Sequence, residues 1–339
     1  MYFVKKPYKL LILDTHSGVR VNISPPMFSA RYFSQYTKEL WSATKKGFAE
    51  ASWPGTRFFA KQGMLVFIQA LISLFVVIAI YRNRQVLNDS KRWRFLAARP
   101  FSTGLFFALM AALLLYEYRG YQDSWGFIIN IIGGISLARL LGALNLSSWK
   151  RRFVYGLIII LIATRLLYVI RFPLPLFRIY TVSTALVGLL FCLRWAGESR
   201  RDKESGFYRW SLWLGSFLFA FIVIAEIWGK QRTADFLFIS LIRSTATVLT
   251  FMLFMYLIRG FLEWIFISAF FQRAASLYKK TDVIIHRVTL FIDVAICGLF
   301  LLPAILVIWD VYDGMPEAMK GLLSLGFDLG TQRISAGLV

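Results

Sequence analysis

A chain of 339 residues that is 58% hydrophobic and only 17% charged departs from soluble domains, in which about a quarter of residues carry charge. Its net charge of +21 does not point to nucleic acid, because the basic residues fall between apolar runs rather than on one polar face, where they act as topology determinants and as contacts for anionic lipids. Composition therefore excludes an ordinary soluble enzyme and implies an all-α, polytopic transmembrane helix bundle of about eight spans with a short mixed N-terminal extension.

Residues 1 to 62 form the one sizeable polar region, read as an extracytoplasmic extension. Lys9 to Ser24 resembles a hairpin, with Thr15-His16-Ser17-Gly18 as its turn, and Ser34 to Ala51 is helix-like until Trp53-Pro54-Gly55 breaks the pattern. Two strands do not make a stable domain alone, so this region reads as the end of a larger domain or as an extension packed on the bilayer surface.

The transmembrane bundle is expected over 63–309. Its first span, Gly63 to Tyr81, holds only Gln69 and Ser73 as polar side chains, and at about 1.5 Å per residue it just crosses a hydrocarbon core of about 30 Å. The remaining spans are Phe101 to Tyr118, Ser124 to Leu144, Phe153 to Ile170, Leu176 to Trp195, Trp210 to Gly229, Asp235 to Ile258 and Val283 to Trp309. Loops after the odd-numbered spans hold seventeen Lys and Arg, against six after the even-numbered ones. That asymmetry places the former in the cytoplasm and both chain ends outside, in a plasma (inner) membrane. Trp125, Trp195, Trp210, Trp228 and Trp309 sit at span ends, as an aromatic belt would place them. The stretch after Arg259 is expected to prolong the seventh helix, Pro303 to kink the eighth, and 310–339 to lead outside into a further helix.

Candidate functional residues are few. Gly126, Asn130, Gly134, Ala138 and Gly142 recur every four residues, a small-residue stripe on which a neighbouring helix can pack closely, with a substrate-lining face as the sharper alternative. Glu117, Arg165, Arg178, Glu226 and Arg243 project toward the outer ends of their spans and are placed to form one charge network. Arg139, Arg194 and Asp293 lie toward the inner side, and Asp293 is the intramembrane charge deep enough to suggest ion coupling or an Arg partner. Cys192 and Cys297 lie within apolar runs and read as reduced, buried residues. His16 and His286 fall in different compartments on this topology, and no phosphate loop, nucleophile elbow or HExxH occurs, so neither enzymatic activity nor a cofactor is expected.

The stretches RWRFLAARPFSTGLFFALMAALLLYEY, WKRRFVYGLIIILIATRLLYVI, FIDVAICGLFLLPAILVIWDVYD and MKGLLSLGFDLGTQRISAGLV resemble the accessory transmembrane region of the large MscS-superfamily mechanosensitive channels. This resemblance implies a tension-sensing paddle, with a pore helix and cytoplasmic β domain that do not occur in this chain and a homo-oligomer assembled through that pore unit. It carries over no functional residue. A secondary transporter and a membrane sensor or scaffold module stay open beside it.

Overall fold

A backbone surrounded by lipid has no water to bond, so apolar stretches satisfy their own N–H and C=O groups as helix. The computed structural model describes residues 24–37, 39–51, 53–89, 92–115, 122–144, 148–201, 206–267, 281–324, 326–329 and 332–335. In chain order its helices are α1 (Ala30–Phe33), α2 (Glu39–Glu50), α3 (Thr56–Arg82), α4 (Arg84–Asp89), α5 (Arg94–Ala98), α6 (Pro100–Leu115), α7 (Gln122–Gly142) and α8 (Ser148–Val169). They continue with α9 (Leu174–Arg201), α10 (Gly206–Ile227), α11 (Gln231–Ile267), α12 (Thr281–Ile296), α13 (Leu302–Ile308) and α14 (Met315–Ser324), followed by a short antiparallel hairpin of β1 (Gly326–Leu329) and β2 (Gln332–Ser335). The architecture is an all-α, multi-pass membrane bundle. Among the described residues, seven helical stretches are long and apolar enough to cross a membrane: those within α3, α7, α8, α9, α10 and α11, and the run from α12 to α13. The described part of the expected second span, up to Leu115, lies in the apolar helix α6. The hairpin expected over Lys9 to Ser24 lies outside the described residues, apart from Ser24 itself.

Helix ends follow local chemistry. Gly55 opens α3 after the Trp53-Pro54 break. Three helices close with a left-handed residue and the paired reverse bonds of a Schellman turn: Arg171 (φ 49) after α8, Gly229 (φ 77) after α10 and Asp310 (φ 52) after α13. The kink expected at Pro303 takes the form of a widened π turn over Cys297–Leu301, just ahead of α13. A proline has no N–H and its ring collides with the carbonyl four residues back, here that of Leu299, and a widened turn removes both problems.

By backbone proximity the chain divides into two compact units, one built from Pro54–Ile159 and Arg243–Val339 and the other from Ile160–Ile242 with the described part of Val4–Trp53. In the first, α3 packs along α6, and α6 along α7. Gly104 permits the first contact: a Cβ there would lie 2.6 Å from the Ser73 carbonyl oxygen and 2.7 Å from Val77 Cγ2. Gly260 does the same for the Trp93 ring, whose Nε1 donates to the Leu257 carbonyl at 3.3 Å. In the second unit α9 and α10 run antiparallel and close together, with the Phe219 ring seated on Gly188, where a Cβ would meet it at 2.6 Å. Ala185, Ile222, Ala225, Ala234, Phe238, Ile239 and Ile242 form its buried core.

Candidate functional site

The most polar buried place described lies at one end of the second unit, where α8 and α10 stop and α9 and α11 start. Arg178 stands one turn into α9 and Glu226 at the last turn of α10, and because these helices are antiparallel the two meet side by side. Their side chains are 1% and 0% exposed. Arg178 Nε donates to Glu226 Oε2 at 2.7 Å, Nη2 donates to the Glu226 carbonyl at 2.7 Å, and Nη1 donates to the Pro25 carbonyl at 2.9 Å. A buried guanidinium is tolerable when its donors are used in this way, and removing either partner leaves a charge without compensation. Glu226 Oε1 and, nearby, Asp235 Oδ1 are buried with no hydrogen-bond partner among the described residues. The Asp235 carboxylate is held on its other oxygen by Gln231 Nε2 at 3.2 Å.

The segment that closes over this pair is the N-terminal one, which forms a collar from Ser24 to Tyr36. Consecutive prolines at 25 and 26 lack N–H groups and keep the preceding residue extended, so the Ser24 and Pro25 carbonyls stay free to accept from outside the segment. Ser24 Oγ donates to Gln231 Oε1 at 2.9 Å, and Met27 N donates to the Ile227 carbonyl at 3.2 Å. The Arg178 guanidinium lies 5.0 Å from the centre of the Tyr32 ring, within range of a cation–π attraction. The Tyr32 and Tyr36 hydroxyls are 2.7 Å apart and lie 2.9 and 3.3 Å from the Pro175 carbonyl oxygen, so one hydroxyl donates to the carbonyl and the other to its neighbour. Burial above all, then the Tyr36 bond, pushes the Tyr32 phenol above its ordinary value and keeps it protonated as a donor.

Gly229 completes the docking. Its positive φ closes α10, and the Ser24 carbonyl oxygen lies 2.2 Å from where a Cβ would stand. Beyond the collar, Gly47 in α2 sits against the Ile170 carbonyl in the same manner, at 2.1 Å. Thus two glycines, one aromatic pair and one buried arginine tie the collar and α2 to the ends of four helices.

Of the five charges expected to share a network, the structure brings together Arg178 and Glu226. Arg165 is also engaged in an interaction, Arg243 belongs to the first unit, and Glu117 lies outside the described residues. Asp293 is bound, but by neither Arg139 nor Arg194. Arg259 grips it with Nε at 3.2 and 3.1 Å from the two carboxylate oxygens and with Nη2 on Oδ2. The expected prolongation of the seventh helix past Arg259 is found, since α11 runs on to Ile267, and the paired carboxylate explains how a span can carry this charge. Arg194 instead pairs with Glu198 on its own exposed face at 3.2 Å.

The small-residue stripe is used unevenly. A Cβ on Gly134 would stand 3.0 Å from Ile158 Cγ2 and one on Gly142 3.5 Å from the Tyr155 hydroxyl, so both face α8, and Ala138 is fully buried. Gly126 has open space, and Asn130 turns back to donate to the Gly126 carbonyl at 2.6 Å. Two belt tryptophans are also inside rather than at the lipid boundary: Trp125 stacks on Phe58 at 4.7 Å and Trp195 on Phe191 at 4.9 Å, whereas Trp210 and Trp228 are exposed. A span-end position in sequence does not say which side of the helix faces lipid. Ser24, Pro25, Tyr32, Tyr36, Gly229, Gln231 and Asp235 were not singled out from sequence, although the SPP triplet and the glycine between Trp228 and Lys230 are signals of an extended acceptor strand and a helix stop. No family model, characterised protein or solved structure matches this chain.

Proposed function

We propose that this chain is the membrane-embedded, tension-sensing region of an MscS-like channel assembly, which carries no current itself and joins other copies through a pore unit outside residues 1 to 339. In this reading it sits in an inner membrane with both ends outside the cytoplasm and contacts anionic lipids through its basic loops. The supporting observation is how few residues of its apolar helices are fully buried in protein. Only 11% of the residues are buried in the apolar windows of both Phe58–Arg82 and Arg287–Ile308, and 39% in that of Trp125–Gly142. A helix bathed in acyl chains over most of its circumference adjusts tilt and packing when the bilayer thins, at modest cost per ångström of mismatch. Tension shifts an equilibrium only through a difference between two states, and a lipid-facing surface of this kind supplies one.

The test is a distance measurement in bilayers of different thickness. In a background with Cys192→Ser and Cys297→Ser, spin labels at F75C and F291C occupy exposed positions on α3 and α12 of the same unit. The proposal expects the separation to change between thick and thin bilayers. An identical distance distribution in both sinks the sensing role, and solute-coupled uptake by reconstituted chain moves the protein to the transporter class.

A further inference from the structure

We propose that α2 is an interfacial helix, seated in the boundary between headgroups and acyl chains at the end of the spans that the collar covers. The claim goes beyond tension sensing and holds whether or not the chain responds to tension. Three faces of α2 carry it. Taking about 100° per residue, Gly47, Leu40 and Ala43 share one face. Gly47 lies so close to the Ile170 carbonyl that a Cβ would stand 2.1 Å away, which pins the helix to the residue immediately after the apolar run Lys150–Val169. At Gly47, therefore, α2 lies at the level where a span ends.

A second face, about 100 to 120° round from Gly47, presents Trp41 and Phe48, one heptad apart. These are 66% and 55% exposed among the described residues, and Phe48 carries the Trp53 ring against it at 5.6 Å. Lys45 lies at the edge of this face, where its stem can follow the apolar surface while the ammonium reaches a phosphate. The third face holds Ser42, Lys46 and Glu50, the last two forming an exposed pair at 3.8 Å. That pair belongs in water.

The occupant of the aromatic face is lipid rather than a protein partner. Trp and Phe with a flanking Lys on one side of a helix, and charges on the other, are the composition of helices that lie in the interface plane. The same level carries other uncovered aromatics: Trp228 at the end of α10 is 65% exposed, and on the collar Phe28 is 73% and Phe33 59% exposed. These side chains stand at or beside the ends of the spans, where the bilayer boundary falls.

The experiment places single spin labels at W41C, F48C, S42C and K46C in the Cys192→Ser, Cys297→Ser background, reconstitutes the full chain in phosphatidylcholine and phosphatidylglycerol bilayers, and compares collision with oxygen against collision with a nickel chelate. Positions 41 and 48 are expected to favour oxygen several-fold over 42 and 46. Equal nickel access at all four positions overturns the proposal by placing α2 in water. Labels at 41 and 48 shielded from both reagents overturn it in favour of a protein partner.

Discussion

Gly229→Ala is the substitution that most sharply separates a docked collar from a detached one. Two costs arise at once. An alanine in the left-handed region costs about 1 to 2 kcal/mol relative to glycine, and its Cβ would stand 2.2 Å from the Ser24 carbonyl oxygen, a backbone atom with no rotamer to escape into. The segment at 24–26 must therefore lift, stretching the bonds from Arg178 Nη1 to the Pro25 carbonyl, from Ser24 Oγ to Gln231 and from Met27 N to the Ile227 carbonyl. A hydrogen bond to a charged group contributes about 1.5 to 3 kcal/mol and a neutral one about 0.5 to 1.5, so complete loss comes to about 3.5 to 8 kcal/mol with the backbone strain included. Even the lower figure exceeds two factors of ten in population, so amide hydrogen exchange over residues 27–36 should accelerate by more than about a hundredfold in detergent or nanodiscs. Gly229→Asn isolates the cause, because Asn tolerates the left-handed conformation but still carries a Cβ. Both variants should lose protection. If Asn retains it, strain rather than close approach governs the site. If Ala retains it as well, the docking described for Ser24 to Tyr36 is wrong.

Arg178→Ala leaves the buried Glu226 charge uncompensated and should cost about 3 to 5 kcal/mol in thermal unfolding, whereas Asp293→Asn, which keeps a hydrogen-bonding partner for the half-exposed Arg259, should cost about 1.5 to 3 kcal/mol; equal effects would contradict the difference in burial. Gly104→Ala should destabilise by about 1 to 3 kcal/mol because backbone and Val77 both crowd the site, Gly134→Leu similarly against Ile158, and Gly126→Leu should melt like the parent. The raised pKa of Tyr32 means that the collar gains stability from a neutral phenol; that contribution is intact below the ordinary tyrosine value of about 10 and is lost as pH rises beyond it. Exchange protection at 27–36 should therefore hold from neutral pH to about 9 and fall above about 10, and Tyr32→Phe should remove that alkaline step.

The spans were legible because nothing competes with helix in an apolar run: Gly63 to Tyr81 lies wholly within α3, and Trp53-Pro54-Gly55 marks its beginning. The continuation of the seventh helix past Arg259 was expected, but the residue that neutralises this charge was not, since pairing with Asp293 across 34 positions leaves no local trace. The same reason hid most of the site. Arg178 and Glu226 stood out as charges inside spans, but their meeting depends on the antiparallel fit of α9 and α10, and the bonds to Ser24 and Pro25 reach across more than 150 residues. Glycine function was only half visible. A regular four-residue stripe drew attention to Gly126, which faces open space, while the close approaches occur at Gly104, Gly188 and Gly260, which belong to no periodic pattern. Close packing depends on the partner helix, and the partner is not written in the spacing.

Whether the chain senses tension without conducting is decided most directly by fluorometry on reconstituted patches of the 339-residue chain, with an environment-sensitive dye at F75C and membrane current recorded together while suction is raised toward rupture. The proposed role predicts a graded, reversible fluorescence change that follows tension while no tension-gated conductance appears. A stretch-activated current from this chain alone, or fluorescence that stays constant up to rupture, would contradict it.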